Sequence, residues 1–170
     1  MLPEEVTKFI GKTTGTSIFE VEREAIRRFA DAVDDPNPLY WDEEYAKNSK
    51  HGSIVAPPGL ICAPWFSGRR TKWGRRDEPA AEGAEARRPD LVKAGYGRVL
   101  DGGVEWEFFQ AVHAGDTLTA ASKIKDIVER EGRSGKMVFV ISETTYTNQN
   151  GDVAAKTRGT SIHPEGQPGS

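Results

Sequence analysis

Turn sequences punctuate the C-terminal half of this chain at intervals that leave little choice of structure. Gly132-Arg133-Ser134-Gly135 and Asn148-Gln149-Asn150-Gly151-Asp152 separate runs in which apolar and polar residues take turns. Gly103-Val104-Glu105-Trp106-Glu107-Phe108-Phe109 alternates, residues 117–131 and 136–147 do so less strictly, and residues 153–162 close the series. A period of two puts every second side chain on one face, the signature of a strand with one buried side. Asn150-Gly151 suits a tight hairpin, because both residues tolerate positive φ. Four antiparallel strands in a meander are therefore predicted. The polar, Pro- and Gly-bearing tail at residues 163–170 is predicted to be disordered.

The N-terminal half has a different period. Across residues 22–33, Ala25, Ile26, Phe29, Ala30 and Val33 fall at spacings of one, three and four, which gather on one side of a helix about three turns long. Glu22, Arg23, Arg27, Arg28 and Asp31 occupy the other side, so this helix packs at a surface. It must stop near Asp34, since Pro36 lacks an amide donor and disfavours helical geometry at Asp35. Asp42 is placed to cap a short second helix running to Ser49, with Glu43 and Glu44 in its first turn matching the helix dipole. Pro57 and Pro58 open a third segment, residues 59–67, that is apolar all round and reads as a buried helix. Helices followed by strands predict an α+β domain with one apolar helix against a curved sheet, one core and no internal repeat.

Composition narrows the class. A chain of 170 residues with 36% hydrophobic and 29% charged content fits one domain. No run of about 18 apolar residues is present to cross a bilayer, and no secretory leader, so the expectation is a cytoplasmic protein with no membrane partner. Cys62 is the single cysteine and reads as a small hydrophobe in the run Leu60-Ile61-Cys62-Ala63, with neither a disulfide nor a thiolate metal cluster within reach. A net charge of -3 argues against nucleic acid as the main partner. Positive charge does concentrate at Arg69, Arg70, Lys72, Arg75 and Arg76, interleaved with Trp65, Phe66 and Trp73 and followed by Arg87 and Arg88. Two readings stand for it: a solvated loop, since no helical or strand period surrounds it, or a phosphate contact.

Several of these residues together resemble a known family. The run from Phe29 to Asp42, then Gly52-Ser53-Ile54-Val55-Ala56-Pro57-Pro58, then Leu100-Asp101-Gly102-Gly103-Val104-Glu105-Trp106-Glu107, then Gly115-Asp116-Thr117-Leu118, is similar in kind and order to the N-terminal, FAS1-type MaoC-like dehydratase domain. The resemblance spans roughly residues 5–162. It implies a hot-dog fold, an antiparallel sheet wrapped around a central helix, here the segment 58–67, with an insertion at about 68–98. It also implies side-by-side pairing of two hot dogs into a continuous sheet, with acyl-thioester tunnels near the interface. Trp106 and Phe108 would supply that interface or, equally, ordinary core packing.

The implied reaction is reversible addition of water across the 2,3 double bond of an enoyl thioester carried on CoA or a carrier protein, with no further cofactor. That chemistry needs a base for water, an acid for the alpha carbon, and donors that polarise the thioester carbonyl. Active members of the family carry Asp-x-Asn-Pro-Leu-His in this loop. Asp35, Asn37, Pro38 and Leu39 match, and the histidine falls on Tyr40. A phenol, with an ordinary pKa near about 10, is a poor base at neutral pH where imidazole, near about 6.5, is well matched. His51, His113 and His163 lack the family's spacing, although His51 lies where it could reach a cavity. Asn37 suits holding the turn, and Asp34, Asp35, Asp42 and Glu43 form no calcium-loop pattern.

The expectation is thus the Tyr-bearing, acyl-binding subunit of a heteromeric hydratase or dehydratase, a heterodimer or heterotetramer active only with a His-bearing partner. Its degenerate catalytic position is Asp35, Asn37 and Tyr40, and its substrate contacts are Pro57, Pro58, Gly59, Trp65, Arg69, Arg70 and Trp73. Two alternatives remain: a homodimeric acyl-thioester-binding protein without hydration, or a self-sufficient hydratase using Asp35 with Tyr40 or His51.

Overall fold

Five antiparallel strands organise the computed structural model, which describes residues 2–62, 90–133 and 135–166. Along the chain these are α1 (Glu4–Thr7), β1 (Thr13–Glu20), α2 (Arg23–Ala32), α3 (Glu43–Asn48), β2 (Leu100–Phe108), β3 (Thr117–Gly132), β4 (Gly135–Thr147) and β5 (Val153–Pro164). Strand order across the sheet is β1-β3-β4-β5-β2, so β3, β4 and β5 form a meander, whereas β2, predicted as the first strand of that meander, pairs with β5 at the far edge and not with β3. The predicted set lacked β1. Its residues, Thr-Thr-Gly-Thr-Ser-Ile-Phe-Glu, favour extended backbone through their β-branched members but show no apolar alternation, and of them only Thr14 is buried.

The loose alternation of residues 117–131 has a geometric cause. A bulge lies between Ile124 and Asp126 where β3 pairs with β4, so one extra residue on β3 resets which parity faces inward. Leu118, Ala120 and Ile124 before it and Ile127 after it all end up buried. Between β4 and β5, the loop is held by the Asn148 side chain, whose Oδ1 accepts from the backbone amides of Asn150 and Asp152, both at 2.9 Å. Gly151 takes φ +87° there, as the Asn-Gly pair predicts.

Helix α2 ends at Ala32, close to the expectation, by a mechanism that does not need Pro36. Asp34 adopts φ +53°, its amide donates to Asp31 O at 3.1 Å, and the Asp35 amide donates to Ala30 O at 2.9 Å. That is a Schellman closure, with aspartate in the left-handed position glycine usually takes. Asp42 caps α3 as predicted, its Oδ1 accepting from the Tyr45 amide at 3.0 Å.

Among the described residues, the buried apolar side chains form two clusters where a single core was expected. The larger gathers α2, residues 54–61 and the starts of β3 and β5 around Ile26, Tyr40, Leu60 and Leu118. The smaller joins Val6 and Phe9 to Leu91, Tyr96, Ile127, Val138 and Val140. Of the segment predicted as a central helix, Leu60–Cys62 is a 3-10 turn with Leu60 and Ile61 buried, and residues 63–67 lie outside those described. Trp65, Arg69, Arg70, Trp73 and the rest of the basic cluster lie outside them as well. Residues 90–98, assigned from sequence to the insertion, place Leu91 and Tyr96 in the smaller cluster. β5 continues through Pro164, so His163 is a buried strand residue, 6% exposed, and not the first residue of a tail.

Candidate functional site

The loop after α2 is built by short-range hydrogen bonds that its own side chains supply. Asp35 Oδ1 accepts from the Asn37 amide at 3.1 Å, and Asn37 Oδ1 accepts from the Leu39 amide at 3.1 Å. Pro38, with φ already suited to a helical first position, follows, and residues Pro38–Tyr40 close a 3-10 turn. The indole of Trp41 donates to Asp35 O at 3.1 Å, and the Arg27 guanidinium of α2 donates to Trp41 O at 3.4 Å. Each polar member of the Asp-x-Asn-Pro-Leu signature therefore has a structural task, and their combined result is to fix the position of Tyr40.

Tyr40 is 7% exposed and forms part of the wall of a cavity of about 350 Å3. Three stretches meet there. Leu39 and Tyr40 come from the 3-10 turn, Val55 to Pro58 and Ile61 from the segment that follows α3, and Phe108 to Val112 from the end of β2 and the chain beyond it. Backbone hydrogen bonds hold them together: Val55 N to Leu39 O at 3.3 Å, Ala56 N to Val112 O at 2.7 Å and Ala114 N to Ile54 O at 3.1 Å. The lining is mostly apolar. Among the described lining residues the polar side chains are Tyr40, His51 and Gln110, the pattern of a pocket that takes an apolar group and orients it through a few polar contacts.

Burial pushes the Tyr40 phenol above its ordinary pKa, and the negative charge of Asp35 pushes it further, against a hydrogen bond with Asn37 that lowers it. At neutral pH this hydroxyl is protonated. It can donate a hydrogen bond to a ligand, and it is no base.

Among the residues expected at the site, Pro57 and Pro58 line the cavity. Gly59 stands behind it, and a Cβ there would lie 3.0 Å from Phe29 Cζ and 3.7 Å from Trp106 Cη2. Asp35 and Asn37 hold the turn and are not among the lining residues. His51 is a lining residue, on a backbone tied to α3 through a hydrogen bond from its amide to Ser49 Oγ at 3.1 Å. Gln110 escaped sequence reasoning. The available signal was a polar residue directly after the apolar pair Phe108-Phe109, where a strand ends. His113 belongs to a different assembly: Asp116 Oδ2 accepts from its amide at 2.7 Å, while Gln149 Nε2 donates to Asp116 Oδ1 at 2.9 Å. Gly115-Asp116-Thr117 is thus a turn lock leading into β3.

Comparison with known proteins bears on the family and the fold. Residues 8–157 match the family described as FAS1-like, dehydratase domain region. A UPF0336 protein of Streptomyces avermitilis is 36% identical over 125 residues, 73% of this chain and 74% of that one. A probable enoyl-CoA hydratase alpha subunit of Thermomonospora curvata is 31% identical over 134 residues, 78% of this chain and 41% of that longer protein. In three dimensions, a chain of the ChsH1-ChsH2 complex from Mycobacterium tuberculosis superposes with a TM-score of 0.81 at 19% identity, covering 98% of this chain and 92% of that chain. A MaoC-like dehydratase from Rhodospirillum rubrum gives 0.61 at 21% identity, covering 94% of each. Both structural likenesses establish the hot-dog fold.

Proposed function

The chain belongs to the FAS1-like dehydratase family of MaoC-like hot-dog proteins, and from that membership we propose that it is the acyl-binding component of an (R)-specific enoyl-CoA hydratase or 3-hydroxyacyl-thioester dehydratase whose catalytic imidazole comes from another subunit. The observation that carries the reading is Tyr40. A phenol stands at the position matching the family's histidine, on the wall of an apolar cavity, with its proton held more tightly than usual.

Hydration requires a group that takes a proton from water as its oxygen attacks C3, and a group that returns one to C2. A protonated phenol serves at most the second task. The Asp35 carboxylate has one oxygen engaged by the Asn37 amide. Apolar walls from Pro57, Ile61 and Val112 suit an acyl chain, and Tyr40 and Gln110 suit its carbonyl or hydroxyl end. This reading gives Arg69 and Arg70, flanked by Trp65 and Trp73, the phosphates of CoA or of a carrier protein's prosthetic group. It is supported by the relative named as an alpha subunit and by the structural neighbour drawn from a two-component complex.

Reconstitution tests it. The chain is purified alone and together with a hot-dog partner that retains Asp-x-Asn-Pro-Leu-His, and crotonyl-CoA hydration is followed by loss of enoyl absorbance. Turnover only in the mixture is the expected result, and no gain over the partner alone would refute the role. A second reading, a self-sufficient hydratase, is favoured by His51 sharing the cavity with Tyr40. It predicts turnover by the isolated chain that His51→Ala abolishes.

A further inference from the structure

β4 carries a run that one buried face does not explain. Met137-Val138-Phe139-Val140-Ile141 is apolar at every position, where a strand with one wet face alternates. Val138 and Val140 are buried in the smaller cluster, so the pleat turns Met137, Phe139 and Ile141 to the opposite face. Phe139 has company there. Its partners across the sheet are Val128 on β3 and Ile162 on β5, and Ile162 pairs in turn with Leu100 on β2. Val128 and Ile162 adjoin the buried Ile127 and His163, so they too face outward. Leu100 is 49% exposed, and none of these outward residues belongs to either cluster or packs against one. They form an apolar band from β3 to β2, with the Arg130 guanidinium 5.2 Å from the Phe139 ring centroid at its margin.

An apolar patch with a charged rim marks a contact surface, and here the rim states with what. Glu143 and Arg158 share the parity of Phe139 and Ile162, so the paired row Lys123, Glu143, Arg158, Glu105 borders the band on the same face. Its members touch: Lys123 to Glu143 at 3.3 Å, Arg158 to Glu143 at 3.5 Å and Arg158 to Glu105 at 3.3 Å. From β3 to β2 the signs run plus, minus, plus, minus. Read backwards, the row is its own complement. A two-fold axis along the strands, between β4 and β5, performs that reversal on a second sheet laid over the first. It sets Lys123 toward Glu105 of the second copy and Glu143 toward its Arg158, while Phe139 meets its Ile162 and Val128 its Leu100.

We infer that two copies of this chain pack face to face through this band, in the near-aligned manner of stacked sheets. The contact is isologous, the same patch serving both copies. A row that complements itself favours a second copy over a foreign protein, which would need no such symmetry. The packing leaves the backbone edge of β2 and the cavity uncovered. It is therefore separate from side-by-side pairing, and it stands whether or not turnover needs another subunit.

Sedimentation of the isolated chain across a concentration series tests it, with Phe139→Glu and Ile162→Lys as variants and thermal melts to check that each folds. Wild type should dimerise, and each variant alone should do so at least about tenfold more weakly, because a charge then meets an apolar side chain at both ends of the contact. Mixed in equal amounts, the two variants should associate more tightly than either alone, since the introduced carboxylate of one meets the introduced ammonium of the other. The milder Ile162→Thr should weaken the wild-type dimer several-fold. Wild type that stays monomeric would overturn the inference, the band then being covered by another protein or another part of this chain. So would variants that dimerise as wild type does, the result that side-by-side pairing predicts, or a mixture no tighter than its components.

Discussion

Tyr40 and Tyr96 are both buried, at 7% and 5% exposure, and both phenols are held above their ordinary pKa, yet the molecule uses them in opposite ways. Tyr96 sits in the smaller cluster with its hydroxyl donating to Glu129 Oε2 at 2.9 Å, and burial with that carboxylate pushes it up to about 12. Its polar end is satisfied by the protein, and it is not among the residues lining the cavity beside Tyr40. Tyr40 belongs to the larger cluster, where the ring borders a cavity of about 350 Å3. The same side chain is a tie in one cluster and a wall in the other. Burial alone therefore says little about function, and the space in front of the group says more.

Large-to-small changes in the two clusters should separate them most strongly. Leu91→Ala in the smaller cluster should cost about 2–5 kcal/mol in denaturant unfolding and leave acyl-thioester affinity unchanged in protein that remains folded. Ile61→Ala, on the cavity wall, should fall toward the lower end of that range and shift affinity for butyryl-CoA several-fold by calorimetry. Equal affinities in the two variants would erase the distinction between wall and tie.

Removing the hydroxyls should act less strongly and in opposite places. Tyr96→Phe removes the hydroxyl's hydrogen bond to Glu129 and should lower stability by about 1 kcal/mol. Tyr40→Phe should cost less than about 1 kcal/mol and change turnover of the reconstituted enzyme by no more than about threefold, where loss of a true acid or base would cost about 100-fold or more.

The pH dependence should sharpen the contrast by the smallest margin. Because the folded state raises the Tyr96 pKa, the associated stability is fully present below about 10 and lost as pH rises toward about 12. Melting temperature should fall across that window, and less in Tyr96→Phe. On the acid side, Glu143 is held at about 2, first by its hydrogen bond from Lys125 and then by Lys123, so its share is present above about 4.5 and lost as pH falls toward 2. Lys125→Met should flatten that limb.

Much of the contrast was legible in the sequence because it depends on local rules. The stop after α2, the Asp42 cap and the strands flanking Asn150-Gly151 follow from residues a few positions apart, and so does the exchange at Tyr40. What escaped depends on residues distant in the chain. β1 is a strand because β3 lies beside it, and its own pattern does not announce one. Likewise Tyr96 is buried by Val6, Ile127 and Val138, each far from it in sequence, and His163 by the continuation of β5 against β4. Gln110 reaches the cavity only because the chain turns beyond β2 to meet Ala56.

Dependence on another subunit is the claim most exposed to test, and it separates binding from chemistry. Calorimetry with butyryl-CoA and a crotonyl-CoA hydration assay, run on the same sample of isolated chain, measure the two together. The account predicts saturable thioester binding without turnover above the uncatalysed rate, with turnover appearing when the His-bearing partner is added. Hydration by the isolated chain, lost in Tyr40→Phe or His51→Ala, would contradict it.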